Sequence, residues 1–191
     1  MKESLSAQDK KALLRLARSA IEAKLVNGVK VERPGHSPVL KEDRGCFVTL
    51  HEYGQLRGCI GTIEPVCPLV ECVGENAQNA AFKDPRFPRL SAEELPEIDI
   101  EVSVLSVPER LNFKNGDDLK RQLRPNVHGV ILSRGMRSST FLPQVWEELP
   151  DKEQFLEYLC VKGGMPATAW EDPATNVEVY QAEVFGEKDF K

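Results

Sequence analysis

The chain has 191 residues, 41% of them hydrophobic and 29% charged, with a formal net charge of −5. A chain of this length buries roughly 70% of its unfolded surface. Its composition is that of an ordinary soluble globular protein, and the acidic balance excludes the broad basic footprint of a nucleic-acid binder. Met1-Lys2-Glu3-Ser4 leads into a charged helix rather than an apolar signal core, and no apolar run reaches membrane-spanning length, so a cytoplasmic protein is expected.

Ser6 to Val26 reads as the first helix. Ser6 and Asp9 have capping-box spacing, Leu13, Leu14, Ala17, Ile21 and Leu25 form an apolar stripe, and Asn27-Gly28 supplies the stop. Val29 to Arg44 is a loop, with His36 solvated in it. Gly45 to His51 is a strand, and a tight turn around Glu52-Tyr53-Gly54-Gln55 folds it into a hairpin with the next stretch.

That stretch, Gly54-Gln55-Leu56-Arg57-Gly58-Cys59-Ile60-Gly61-Thr62-Ile63-Glu64-Pro65, alternates as a strand does but is interrupted by glycines. Glycine within a strand marks a bulge or a close approach to the backbone. At a side-chain period of two, Arg57, Cys59 and Gly61 share a face, and a guanidinium beside a thiol favours the thiolate. Two arrangements remain open. A loop of two or four residues puts Arg57 and Cys59 on the face of Cys46, Val48 and Leu50, whereas a three-residue loop with a bulge puts them beside Thr49 and His51.

Pro68 to about Phe82 is a helix, with Cys72 near its apolar stripe and expected in the core. Lys83-Asp84-Pro85-Arg86-Phe87-Pro88-Arg89 breaks it into rigid turns. Asp84 either satisfies turn amides, or the segment is a stiff arm bringing Arg86 to a site. Ile98 to Ser106 is a strand carrying Asp99, Glu101 and Ser103 on one face, and a short helix lies near Asp117 to Leu123.

The second half repeats the order. His128 to Ser133 and Ser138 to Val145 flank the turn Arg134-Gly135-Met136-Arg137, Asp151 to Val161 is a helix, and Val177 to Phe185 is a last strand. Gly135 answers Gly54, Val179 answers Val102, and Ser138-Ser139-Thr140 answers Arg57-Gly58-Cys59. The expected fold class is therefore α+β: a single mixed α/β domain over residues 1–191. Two ββαβ repeats, about 45–106 and 127–185, would form one curved or barrel-like, mainly antiparallel sheet with helices outside, plus the N-terminal helix at about 6–26. The two hairpins would share one cleft.

Leu56-Arg57-Gly58-Cys59-Ile60-Gly61 resembles the signature hexapeptide of the AMMECR-one domain family, the protein A type of the AmmeMemoRadiSam system. Phe82-Lys83-Asp84-Pro85-Arg86-Phe87, Ile100 to Ser106, and His128 to Leu132 with Phe141 to Val145 resemble the same family in the same order, from about Gly45 to Phe185. The resemblance implies a mixed α/β domain with a duplicated unit, a family without an established biochemical activity, and a Memo-type protein and a radical-SAM protein as partners.

Three functions are weighed. As an enzyme, the chain would use Cys59 as nucleophile, Arg57 to stabilise thiolate or anion, and His51 or His128 as a base delivered by the fold. As a binder of a small anionic ligand, it would use Gly58, Gly61, Glu64, Asp84, Arg86, Glu101, Ser103, Ser139, Thr140 and Gln144, with Cys59 as wall. As an interaction module it would present an apolar patch around Phe141 or Trp146, and a homodimer is compatible with the sequence. No cofactor is expected, because the glycine spacing fits no nucleotide fingerprint and no Cys-x3-Cys-x2-Cys cluster motif is present. Five cysteines (46, 59, 67, 72, 160) without a Cys-x-x-Cys pair are expected to be mostly free thiols, and the scattered histidines 36, 51 and 128 leave no zinc pattern.

Overall fold

The computed structural model describes residues 5–32, 34–35 and 37–190, so the Met1–Ser4 lead-in and His36 lie outside the described residues. The packing resolves into two units, residues 1–105 with 183–191, and residues 106–182.

In the first unit, helix α1 (Ala7–Leu25) starts at a full capping box, with Ser6 Oγ accepting from the Asp9 amide and Asp9 accepting from the Ser6 amide. Its stripe of Leu13, Ala17 and Ile21 is wholly buried. Strands β1 (Cys46–Glu52), β2 (Gln55–Thr62), β3 (Ile98–Leu105) and β8 (Ala182–Gly186) form a sheet in the order β2-β1-β3-β8. Its apolar face (Cys46, Val48, Leu50, Ile100, Val102) packs with α1 and with α2 (Leu69–Phe82), which buries Cys72, Val73, Ala77 and Ala80. Arg18 of α1 pairs with Glu187 through two nitrogens and donates to the Leu95 and Ile98 carbonyls, which fastens the chain's last turn to the helix.

In the second unit, β4 (Glu109–Leu111), β5 (Gly129–Arg134), β6 (Arg137–Phe141) and β7 (Asn176–Tyr180) form a sheet in the order β4-β7-β5-β6. It is accompanied by α3 (Gly116–Gln122), α4 (Val145–Glu148) and α5 (Lys152–Lys162). Val130, Leu132, Val177, Phe155, Leu159 and Trp146 fill its core, and Trp146 stacks on Phe155 with ring centroids 3.6 Å apart. Asp151 caps α5 by accepting from the Gln154 amide.

The expected single curved sheet is instead two open four-stranded sheets. Each hairpin, helix and return strand saturates its own apolar face in a separate core, so neither sheet requires the other's strands as a lid. The expected last strand, Val177 to Phe185, is likewise divided. Gln181 breaks it by exchanging bonds with Ser106, and the halves β7 and β8 go to different sheets. The two sheets share a pairing scheme: Val102 faces Val48 as Val179 faces Val130, and Ile100 faces Leu50 as Val177 faces Leu132. No helix among the described residues is long and apolar enough to cross a membrane.

Candidate functional site

The turn joining β1 to β2 is Tyr53-Gly54, with φ of 50° and 80°, the doubly positive geometry that matches the twist of a two-residue hairpin. The register then slips between Leu50 and His51: His51 faces Leu56 and Leu50 faces Gly58, so Arg57 is the extra residue of a bulge. Beyond it Cys59 faces Thr49, on the side of Phe47 and His51, while Gly58 and Ile60 face the core residues Leu50 and Val48. Each of the two open arrangements is correct in part. The loop is the short one, yet a bulge placed inside the strand gives Cys59 the neighbours of the other.

The bulge also separates Arg57 from the role expected of it. Arg57 is 6% exposed, with Nε and Nη2 on the Glu94 carboxylate at 2.7 and 3.2 Å. This guanidinium holds the Glu94 carboxyl below its ordinary value, and its burial keeps it from reaching a ligand in solvent. Nη1 is buried with no hydrogen-bond partner.

The cation that reaches Cys59 is Arg86. Asp84, 4% exposed, accepts the Cys59 amide on Oδ2 at 2.9 Å and the Arg86 Nη2 at 2.7 Å, and accepts the Arg86 Nε and amide on Oδ1 at 3.0 and 3.1 Å. The Arg86 guanidinium, helped by the two amides, holds the Asp84 carboxyl well below the usual carboxylate range, against the upward pull of burial. Arg86 Nη2 also donates to the Cys59 carbonyl at 3.3 Å. Thr49 Oγ1 donates to Cys59 Sγ at 3.3 Å. The Phe87 ring lies 5.5 Å from the Arg86 guanidinium and 6.0 Å from that of Arg57. Asp84 therefore does both things weighed for it, satisfying a turn amide and fixing Arg86 against the signature strand.

The glycines prove to serve the chain's own packing. A Cβ on Gly58 would lie 2.3 Å from the Ala80 carbonyl oxygen of α2, and one on Gly61 would lie 2.4 Å from the Phe47 ring and the Cys46 carbonyl oxygen. Across the strands, Glu101 faces Thr49, which in turn faces Cys59, making a row of three partly exposed side chains. Ser103 is buried opposite Phe47, and His51 lies opposite Asp99, whose carboxylate Lys188 pairs at 2.7 Å. Glu64 is exposed beyond the end of β2.

The candidates of the second unit are engaged within it. Ser139 donates to the Leu159 carbonyl at 2.7 Å, Thr140 bonds the Tyr180 hydroxyl at 3.1 Å, and Gln144 is exposed at the start of α4. His128 is 6% exposed with Arg124 N and Nε 3.3 and 3.1 Å from its two ring nitrogens. Burial, and then the Arg124 charge, push its pKa down.

Cys72 lies in the core as expected and three of the five cysteines are free, but Cys67 and Cys72 form a disulfide that the sequence reading did not anticipate. Burial pushes the Cys46 thiol up to about 11 and raises that of Cys160 as well, which leaves Cys59 as the free cysteine with access to solvent. Among the described residues, no group of three His, Cys, Asp or Glu side chains is placed to hold a metal ion. Glu94 was missed in the sequence; only its carboxylate, shortly after the arginine-rich arm, hinted at a partner for Arg57.

Comparison with known proteins places this geometry in a family. The family model AMMECR1 matches residues 14–185. Protein MK0488 of Methanopyrus kandleri is 43% identical, covering 99% of this chain and 93% of its own, and a protein of Methanothermobacter thermautotrophicus is 43% identical over 96% of each. The crystal structure of the uncharacterized protein PH0010 from Pyrococcus horikoshii superposes with a TM-score of 0.80 at 40% identity, covering 94% of this chain and 91% of that one. With the matched model spanning both units and relatives aligned nearly end to end, the chain belongs to the AMMECR1 family.

Proposed function

We propose that the outer face of β1 and β2 binds a small anionic ligand at Arg86 and presents it to the Cys59 thiol. One observation carries this reading: an arginine with a half-exposed side chain is held by a buried carboxylate against the backbone of a partly exposed cysteine. Asp84 occupies Nε and Nη2, and Nη1 has no partner among the described residues. A guanidinium fixed in this way loses little freedom when it takes up a carboxylate. Thr49 and Glu101 continue the wall. His51, on the face of Thr49, is the base best placed for a reaction, and Arg57 supports the bulge through Glu94. We place the protein in the cytosol, where the partners implied by the resemblance, a Memo-type protein and a radical-SAM protein, would consume or supply the ligand.

The test is differential alkylation of the native protein, resolved for each cysteine by mass spectrometry. Cys59 should label while Cys46 and Cys160 stay protected. Anionic iodoacetate should gain on neutral iodoacetamide about 1.5- to 5-fold relative to free glutathione, since an ion pair at an exposed site contributes about 0.2 to 1 kcal/mol. Arg86→Gln should abolish the bias. An unreactive Cys59, or a ratio equal to that of glutathione and indifferent to Arg86, would refute the proposal.

A second reading, the interaction module, has one observation in its favour. Trp146 is buried, but Tyr158 and Val161 of α5 are exposed and, with Phe141 and Leu149, line a shallow hollow of about 450 Å³.

A further inference from the structure

We propose that Cys67 and Cys72 form a thiol–disulfide exchange site for low-molecular-weight thiols, with Cys67 as the attacked sulfur and Cys72 as the buried resolving one. The two cysteines flank the start of α2: Cys67 precedes the cap residue Pro68, and Cys72 lies in the first turns of the helix. Their environments differ in the way such a reaction requires. Cys67 is partly exposed, whereas Cys72 is 3% exposed and packed in the core of the first unit. An incoming thiolate therefore has access to one sulfur only, and access decides which sulfur is attacked.

The leaving group is equally well placed. In the first step an external thiolate bonds to Cys67 Sγ, the Cys67–Cys72 bond breaks, and the electron pair departs on Cys72 Sγ. That sulfur lies in the first turn of a 14-residue helix, whose positive end works against the burial that disfavours the anion, and it is released as the thiol once it has taken up a proton. The Thr62 hydroxyl lies 4.0 Å from it. A second thiolate then attacks the external sulfur of the mixed disulfide and releases Cys67. Overall, two small thiols are oxidised to their disulfide and the cysteine pair gains two electrons and two protons. The reverse sequence, with a small disulfide as oxidant, closes the bond again.

The surrounding backbone shows why opening stays local. Arg44 N donates to the Cys67 carbonyl at 3.3 Å, Asp43 bridges Pro68, and Leu69 N donates to the Glu42 carbonyl at 2.9 Å. The segment carrying Cys67 is thus held beside the helix start by bonds that do not involve sulfur. With the Cα atoms 5.9 Å apart, the reduced pair remains poised to close. The covalent bond spans only four intervening residues and duplicates a restraint already present, as expected of an exchanging couple rather than a structural staple.

The experiment incubates the native full-length protein in glutathione redox buffers, quenches with acid, alkylates, and maps each cysteine by mass spectrometry. The Cys67–Cys72 pair should pass reversibly between disulfide and dithiol while far-ultraviolet circular dichroism stays constant. In Cys72→Ser, glutathione should accumulate on Cys67. In Cys67→Ser, it should appear on Cys72 about tenfold less, reflecting its lack of access. Adducts on Cys59 are resolved separately and do not enter the comparison. Should either variant fail to fold, pulsed alkylation of the reduced wild-type protein replaces it, with Cys67 expected about tenfold faster than Cys72. Reduction only under denaturing conditions, or equal capture by the two cysteines, would overturn the proposal.

Discussion

Asp84→Asn tests the connection between the arm and the signature strand. An asparagine can still accept from the Arg86 amide and Nε on its one oxygen, but it turns an NH2 group towards two donors, the Cys59 amide and Arg86 Nη2, now at 2.9 and 2.7 Å from Oδ2. A buried amide left without an acceptor costs about 1–3 kcal/mol, and the arginine bond, partly recovered by water, adds about 1. The loss should therefore be about 2–4 kcal/mol, confined to the first unit. Both tryptophans lie in the second unit, so their fluorescence cannot report it. Hydrogen exchange read by mass spectrometry can. Peptides of β2 should exchange about 30- to 700-fold faster, at tenfold per 1.4 kcal/mol, while those of β5 and α5 are unchanged. The effect must also depend on pH. The folded carboxyl is depressed, so its stabilisation is complete above the ordinary value of 3.8 and is lost as pH falls from there through the lower folded value. The gap between wild type and variant should be widest at pH 7, somewhat smaller at pH 3, and should close only as the pH approaches the lower folded value. Unchanged β2 exchange at pH 7, or an equal acceleration in both units, would refute the reasoning.

Four further outcomes follow from single side chains. Gly58→Ala should destabilise by about 2–3 kcal/mol, because its Cβ meets backbone rather than a movable side chain at 2.3 Å. Gly74→Ala, in the same helix–strand layer, should stabilise by about 0.5–1 kcal/mol, since its Cβ would find only Leu16 at 3.8 Å and the helix gains a better former; urea denaturation of the pair followed by far-ultraviolet circular dichroism checks both signs. Burial lowers the His128 pKa below 6.5, so the unfolded chain binds the proton more readily and stability should decline as pH falls from 6.5 towards the lower folded value. Trp146, which donates to the His128 carbonyl at 2.7 Å, reports that transition by fluorescence, and His128→Gln should remove the slope. Cys59→Ser should fold within about 1 kcal/mol of wild type, as expected at a partly exposed position, while losing all labelling at that site.

Much of the architecture was legible because it follows from periodicity. The α1 stripe, the Asp151 cap and the two hairpins all appear where apolar spacing and turn residues put them. The site was legible only as a neighbourhood. Glycine spacing makes Gly58 a candidate ligand contact, but the close approach is made by Ala80 of the chain's own helix. Arg57 was read as the partner of Cys59, but strict alternation fails at a bulge, and its position depended on a long-range pairing with Glu94, 37 residues away. The disulfide was hidden for a related reason: Cys67 and Cys72 meet only because the chain turns into α2 at Pro68, outside any strand or helix period.

The two hairpins show how one pairing scheme can carry different side-chain arrangements in the two units. Counted from their turns, Leu50 facing Gly58 corresponds to Leu132 facing Ser139, and Thr49 facing Cys59 corresponds to Ile131 facing Thr140. Arg57 has no counterpart, for the β5–β6 ladder runs unbroken from Arg134 to Val130. In the second unit the small polar residues are absorbed by their own fold, Ser139 by the Leu159 carbonyl and Thr140 by Tyr180. In the first, glycine at the matching position lets α2 press its last turn onto the strand. The residues that follow that turn then place Asp84 at the Cys59 amide and Arg86 at its carbonyl. One inserted residue, held by Glu94, and one missing side chain thus convert a structural hairpin into one whose cysteine faces solvent beside a fixed arginine.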